Sequence, residues 1–219
     1  MRSMDAIALL KADHKTVETL FRRFEQAGPN AKKLKRKLVE QIVRELAVHA
    51  VIEEQVLYPA VRAKGKELEE QVLEALEEHH VAKWLLKELE DLPSEAERFS
   101  AKVKVLMENV RTHVAEEERR LFPRVRKAFS PVELREMAQM LMMAKKAAPT
   151  RPHPRAPDAP PSNLVAGAVS AVLDMGKEAV RTVRRGIHKP KARKVTPSAP
   201  QQQANGAAHG LEADASQLM

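Results

Sequence analysis

The chain has 219 residues, 38 Lys+Arg against 30 Asp+Glu, a formal net charge of +8, and is 43% hydrophobic and 31% charged. No stretch is apolar enough to span a bilayer, and the first residues lack the apolar run and small-residue cleavage site of a secretory leader, so a reducing, cytoplasmic compartment is expected. Absence of cysteine excludes disulfides, thiolate metal sites and cysteine nucleophiles, and leaves eight histidines as the main borderline metal donors.

Low glycine and abundant Ala, Leu, Glu, Lys and Arg favour helix through the first 145 or so residues. A first helix, 4–26, carries Ile7, Leu10, His14, Val17, Phe21 and Phe24 on one face and stops at Gly28-Pro29-Asn30. A second, 31–58, carries Leu38, Ile42, Leu46, His49, Glu53 and Val56 and ends at Pro59. A third, 66–91, carries Val72, Leu76, His79, Ala82, Leu86 and Leu89 and breaks at Leu92-Pro93-Ser94. Ser94 with Glu97 reads as a capping box opening a fourth helix. Its stripe is Val103, Leu106, Val110, His113, Glu117 and Leu121, ending near Pro123. Ser130, Pro131 and Glu133 then start a shorter fifth helix to about Ala147, and Leu141, Met142 and Met143 suggest packing on the outside of the others.

Short turns between four long amphipathic helices predict an all-α, antiparallel up-down-up-down four-helix bundle over residues 1–147. A Pro-rich linker is expected at 148–163, a short amphipathic helix at 164–187 and a disordered basic, polar tail at 188–219. Residues 146–219 hold 11 Lys+Arg and 5 Asp+Glu, so +6 of the net charge belongs there.

The bundle contains a duplication. Residues 13–21 align with 78–86 at an offset of 65, and 49–59 with 113–123 at an offset of 64. Each half reads acid-His on one helix, then His-x-x-x-Glu-Glu with an aromatic-Pro ending on the next. On a helix, side chains four apart share a face about 5–6 Å from one another, so His-x-x-x-Glu presents an imidazole and a carboxylate to one point. His14, His49, Glu53, His79, His113 and Glu117 all lie in apolar stripes. A buried ionised Glu without a partner costs several kcal/mol, on the order of the penalty for any unpaired buried charge. Four imidazoles and two carboxylates aimed into one core are best satisfied by two cations. His80 lies about 100° round the helix from His79 and is read as a surface residue. Glu54, Glu116 and Glu118 are read as solvated or as outer partners of the ligands. Gly-rich phosphate loops, GxSxG turns, HExxH helices and zinc-finger spacings do not occur.

These paired motifs, with their Tyr58-Pro59 and Phe122-Pro123 endings, resemble the hemerythrin-like (HHE cation-binding) domain family over roughly residues 5–145. The resemblance implies a non-haem di-iron centre of two iron ions sharing an oxo or hydroxo bridge. His14, His49, His79 and His113 would be terminal ligands, and Glu53 and Glu117 would bridge. Ferritin-like bundles use Glu-x-x-His instead, and no such pair occurs at the core positions here. The imidazole and carboxylate donors suit iron and accept manganese or zinc. Oxygen-carrying members place a further His where this chain has Lys83, and an Asp at a spacing of five where it has Glu118, so their five-His site is not implied. Relatives with four His and two Glu are associated with oxygen, peroxide, nitric oxide or iron handling, which makes a small ligand for sensing or stress handling the expected partner. Two alternatives stay open. One is a peroxidase- or catalase-like or ferroxidase enzyme, with Tyr58 or Trp84 as redox residues unless these are core packing. The other is an iron-responsive regulatory module whose basic residues 164–194 contact nucleic acid, an anionic membrane or a protein.

Overall fold

The structure is a computed structural model that describes residues 4–155; the expected helix at 164–187, the tail at 188–219 and the later part of the linker lie outside the described residues. Helix α1 spans Ala6–Gln26 and opens on Asp5, whose carboxylate accepts from the Ala8 N–H at 2.8 Å. It ends just before Gly28-Pro29-Asn30, as the turn residues predict.

The second rod is longer than its sequence suggests. Helix α2, Lys32–Ile52, runs into a π turn at Glu53–Leu57 and continues as α3, Tyr58–Lys64. Pro59 therefore does not end the helix. In the π turn the Tyr58 N–H reaches back to the Glu53 carbonyl, and the widened turn accommodates the donor and the space that proline removes. The second half repeats this solution. Helix α5, Phe99–Glu116, passes through a π turn at Glu117–Leu121, where the Phe122 N–H reaches the Glu117 carbonyl, and continues past Pro123 as α6, Phe122–Ala128.

Between the halves the chain turns through Gly65, at φ 152°, and a 3₁₀ turn at Lys66–Leu68 into α4, Glu69–Asp91. The Arg36 guanidinium, near the start of α2, donates to the carbonyls of Leu89, Glu90 and Leu92, which satisfies the last turn of α4. The Ser94 capping box does not form. Ser94 Oγ donates to Glu95 instead, and α5 starts at Phe99 without a side-chain cap. The box at Ser130 and Glu133 does form, opening α7, Pro131–Ala147.

Helix α1 packs on α2, α4 on α5, and α2 on α4, giving the antiparallel four-helix bundle. Helix α7 lies along α1 and α2 and buries Leu134, Met137, Ala138 and Leu141. Met142 and Met143 turn outward, Met143 being 70% exposed, so of the three expected contacts only Leu141 packs. The core falls into two apolar clusters. One gathers Ile7, Leu10, Ile52, Leu57, Val72 and Phe122 at one end; the other gathers Phe21, Ile42, Leu86, Phe99, Val103 and Leu106 at the other. All six expected ligand positions are buried, and all but Glu53 lie in the sequence intervals between these clusters; Glu53 falls within the first cluster's stretch of sequence, between Ile52 and Val56. No helix among the described residues is long and apolar enough to cross a membrane.

Candidate metal centre

The four histidines come from four helices: His14 from α1, His49 from α2, His79 from α4 and His113 from α5. Glu53 and Glu117 each occupy the first position of a π turn, one turn beyond His49 and His113. Glu53 is 0% exposed and Glu117 2%.

The imidazoles meet in pairs. His14 Nε2 lies 3.1 Å from His49 Nε2, and His79 Nε2 lies 3.1 Å from His113 Nε2. Each carboxylate spans both pairs. Glu53 Oε2 is 3.1 Å from His49 Nε2 and 3.4 Å from His79 Nε2; Glu117 Oε2 is 3.4 Å from His14 Nε2 and 3.6 Å from His113 Nε2. Two donor groups capable of holding a cation result, His14, His49, Glu53 and Glu117 on one side and Glu53, His79 and His113 on the other. All six residues singled out in the sequence are thus brought together.

An outer ring of carboxylates orients the imidazoles. Glu118 contacts His14 Nδ1 at 3.0 Å, Glu54 contacts His79 Nδ1 at 2.9 Å, and Glu78 contacts His113 Nδ1 at 2.7 Å. Asp13 approaches His49 Nδ1 at 3.7 Å, beyond hydrogen-bond length. A proton on Nδ1 leaves the Nε2 lone pair facing inward, the tautomer that a metal requires. Three lysines sit on this ring: Lys11 on Glu118, Lys83 on Glu54 and Lys145 on Asp13.

This arrangement fits bound cations. Two inward Nε2 lone pairs at 3.1 Å repel unless a proton or a metal ion lies between them. Glu53 Oε1 and Glu117 Oε2 are buried without a hydrogen-bond partner. Six carboxylates (Asp13, Glu53, Glu54, Glu78, Glu117 and Glu118) against three ammoniums leave an excess of three negative charges to be met by protons or metal ions at the imidazoles. Burial works to lower the pKa of His49, but Glu53 beside it, with Asp13 and Glu117, overrides this and pushes it up to about 10. His79 is likewise pushed up to about 9 against burial, by Glu53 and Glu54. Burial would raise the Glu53 carboxyl, yet His49 and His79 hold it well below the usual range. The cluster draws positive charge to the Nε2 positions.

The sequence reading placed Glu54 and Glu118 among solvated or outer residues; Glu54 is 6% exposed and braces His79, while Glu118 is half-buried and braces His14. Glu116 is half-buried. Asp13 and Glu78 were visible only as the acids of the acid-His repeat. Each faces a histidine on a neighbouring helix, Glu78 within hydrogen-bond distance of His113 and Asp13 at 3.7 Å from His49, so adjacency in sequence did not reveal the partner. Lys83 is 6% exposed, with Nζ 2.8 Å from Glu54 Oε2.

Tyr58 belongs to the cluster. Its hydroxyl donates to Glu117 Oε1 at 2.9 Å and lies 3.4 Å from His79 Nε2. Burial, then the charges of Glu117 and Glu53, raise its pKa well above the usual value, so it remains a donor. Phe122, its counterpart in the repeat, stacks on His14 with ring centroids 5.8 Å apart. Trp84 is neither core nor site. It is 40% exposed and donates to His80 at 3.1 Å.

A cavity of about 30 Å³ touches all four histidines. Its remaining wall is mostly apolar, including Val17, Leu46, Leu86 and Val110, with Glu78, Lys83 and Asn109 as polar members. That volume holds a molecule of one or two heavy atoms beyond the minimum needed by a water.

The family model for the Hemerythrin HHE cation binding domain matches residues 5–125. The chain is 36% identical over 135 residues to an uncharacterized hemerythrin-like protein of Schizosaccharomyces pombe, covering 61% of this chain and 66% of that one. It is 31% identical over 144 residues to a DNA nickase of Nostoc, covering 66% of this chain and 40% of the relative. The chain therefore spans just under two thirds of one relative and well under half of the other. Among solved structures, a hemerythrin HHE cation binding domain-containing protein from Mycobacterium kansasii matches with a TM-score of 0.55 and 23% identity, over 65% of this chain and 88% of that chain. This last likeness bears on the fold.

Proposed function

The chain belongs to the Hemerythrin HHE cation binding domain family, and on that premise we propose that it is a non-haem di-iron protein that binds oxygen, peroxide or nitric oxide for sensing or stress handling. His14 and His49 would hold one iron, His79 and His113 the other, with Glu53 and Glu117 shared. The observation that carries this reading is the pairing of inward Nε2 atoms, each pair touched by both carboxylates. Ferrous ions bound there would supply electrons and open coordination positions to a small ligand.

The chain's own residues would do the rest. Glu54, Glu78 and Glu118 hold the imidazole tautomers. The apolar walls of the cavity keep bulk water and large anions from the histidines and admit small, weakly hydrated molecules. Anaerobic reconstitution of the full chain with ferrous iron, followed by oxygen, should yield two irons per chain and new near-ultraviolet absorption. One iron, or none, overturns the reading.

A second reading is carried by the Tyr58 hydroxyl, a proton donor at 2.9 Å from Glu117. It makes the centre a peroxidase- or catalase-like or ferroxidase enzyme in which Tyr58 supplies a proton beside the ligand. Tyr58→Phe should then still load two irons but lose most turnover of peroxide or ferrous iron. Unchanged turnover removes Tyr58 from that role. In a regulatory version, residues 164–194 would carry the output to nucleic acid, an anionic membrane or a protein, supported by the +6 charge of residues 146–219.

A further inference from the structure

A second cavity, of about 20 Å³, reaches the cluster between α4 and the α5 side of the bundle; it shares Glu78 and His113 with the first but is otherwise lined mainly by charged and polar side chains. It touches His113 and Glu117 at its inner end. Glu74, Glu78 and Glu116 line it, with Gln71 and Arg120. Exposure falls steadily inward: Glu74 and Arg120 are exposed, Gln71, Glu78 and Glu116 are half-buried, and His113 and Glu117 are buried.

Four carboxylates against one guanidinium make this wall strongly acidic. Two of its buried oxygens, Gln71 Oε1 and Glu117 Oε2, have no hydrogen-bond partner. Gln71 Oε1, and Glu117 Oε2 with only the imidazole nitrogens of His14 and His113 near it at 3.4 and 3.6 Å, suit a hard or borderline divalent cation exchanging water for protein ligands. The apolar cavity suits that passage less well: it shares Glu78 with the cleft, but Lys83 offsets that charge and the rest of its wall beyond the histidines is apolar apart from Asn109. A cleft lined by one sign of charge raises the local concentration of counter-ions and their rate of arrival.

We propose that the Glu74–Glu78–Glu116 cleft is the route by which a divalent metal cation enters the cluster, arriving first at His113 and Glu117, while the apolar cavity serves the uncharged small ligand. This rests on the two-cation reading above. Glu74 and Glu116 would gather the ion at the rim, Gln71 would offer a carbonyl oxygen on the way, and Glu117 would receive it.

The test is the rate at which the metal-free full-length chain takes up Co²⁺, followed by its visible absorption after rapid mixing. The double variant Glu74→Gln/Glu116→Gln should load about 10-fold more slowly at low ionic strength. Arg120→Gln should load faster than the unaltered chain, and both differences should shrink as salt is raised. Glu97→Gln/Glu108→Gln, which removes the same charge from exposed positions elsewhere, should load at the unaltered rate. Loading at the unaltered rate in both the rim and the Arg120 variants overturns the route and leaves the metal reading standing. Equal slowing in the control pair also overturns it, because net charge would then account for the effect. An unaltered chain that takes up no Co²⁺ removes the route together with the reading beneath it.

Discussion

His49 and His79 show how the ligand residues behave when protons and metal compete for the same nitrogen. Their pKa values, about 10 and about 9, lie above the ordinary 6.5. A raised histidine contributes stability that is complete below about pH 6.5 and is lost as the pH climbs through 9 to 10. Glu53 is depressed, so its contribution is present above about pH 4.5 and is lost as the pH falls through its folded value. The chelator-treated protein should therefore melt highest between about pH 4.5 and 6.5 and lower steadily towards pH 10. Metal affinity should move the other way, rising over the alkaline part of that range with release of protons on binding, as calorimetry in buffers of different ionisation enthalpy will show. Substituting an orienting carboxylate acts at the same scale. Glu54→Gln should weaken metal binding roughly 10- to 100-fold in competition with a chelator.

At the scale of elements, the decisive feature is the paired π turns. The six ligand positions were legible in the sequence because polar residues stood in apolar stripes and recurred in a duplication. The turns that hold Glu53 and Glu117 were not, since a proline announces only a lost donor and a steric clash. Whether the helix stops or widens depends on what the rest of the rod buries, and here Tyr58, Val61, Phe122 and Val125 keep it going. Capping signals divide in the same way. Ser130 is pinned by Pro131 and by the Glu133 carboxylate accepting from its N–H, whereas Ser94 is followed by a loop that delays α5 to Phe99. Ser130→Ala should cost about 1 kcal/mol. Ser94→Ala should leave thermal stability almost unchanged, because no helix N–H depends on it.

For the whole molecule, the His–Glu layer lies between two apolar clusters carried on the same helices, α1, α2 and α4 contributing to both. Cations bound there would tie one cluster to the other. Metal at 100 times its dissociation constant should raise stability by about 2.7 kcal/mol. For a chain of this size that corresponds to a rise of about 5–10 °C in Tm by calorimetry. Removal of residues 156–219 should leave metal stoichiometry at the full-length value, since the cluster and its bracing carboxylates fall between Asp13 and Glu118.

The bracing pattern crosses the duplication. Glu54 of the first half supports His79 of the second, and Glu118 of the second supports His14 of the first. That is the bonding of a two-fold symmetric homodimer written into one polypeptide, so neither half can assemble its share of the centre alone. Fusion also frees the two copies to diverge. Tyr58 and Phe122 are one of the matched pairs that differ, placing a hydroxyl beside His79 and a bare ring on His14. The two cations would therefore be inequivalent in proton supply and in affinity, a difference that no true homodimer could encode.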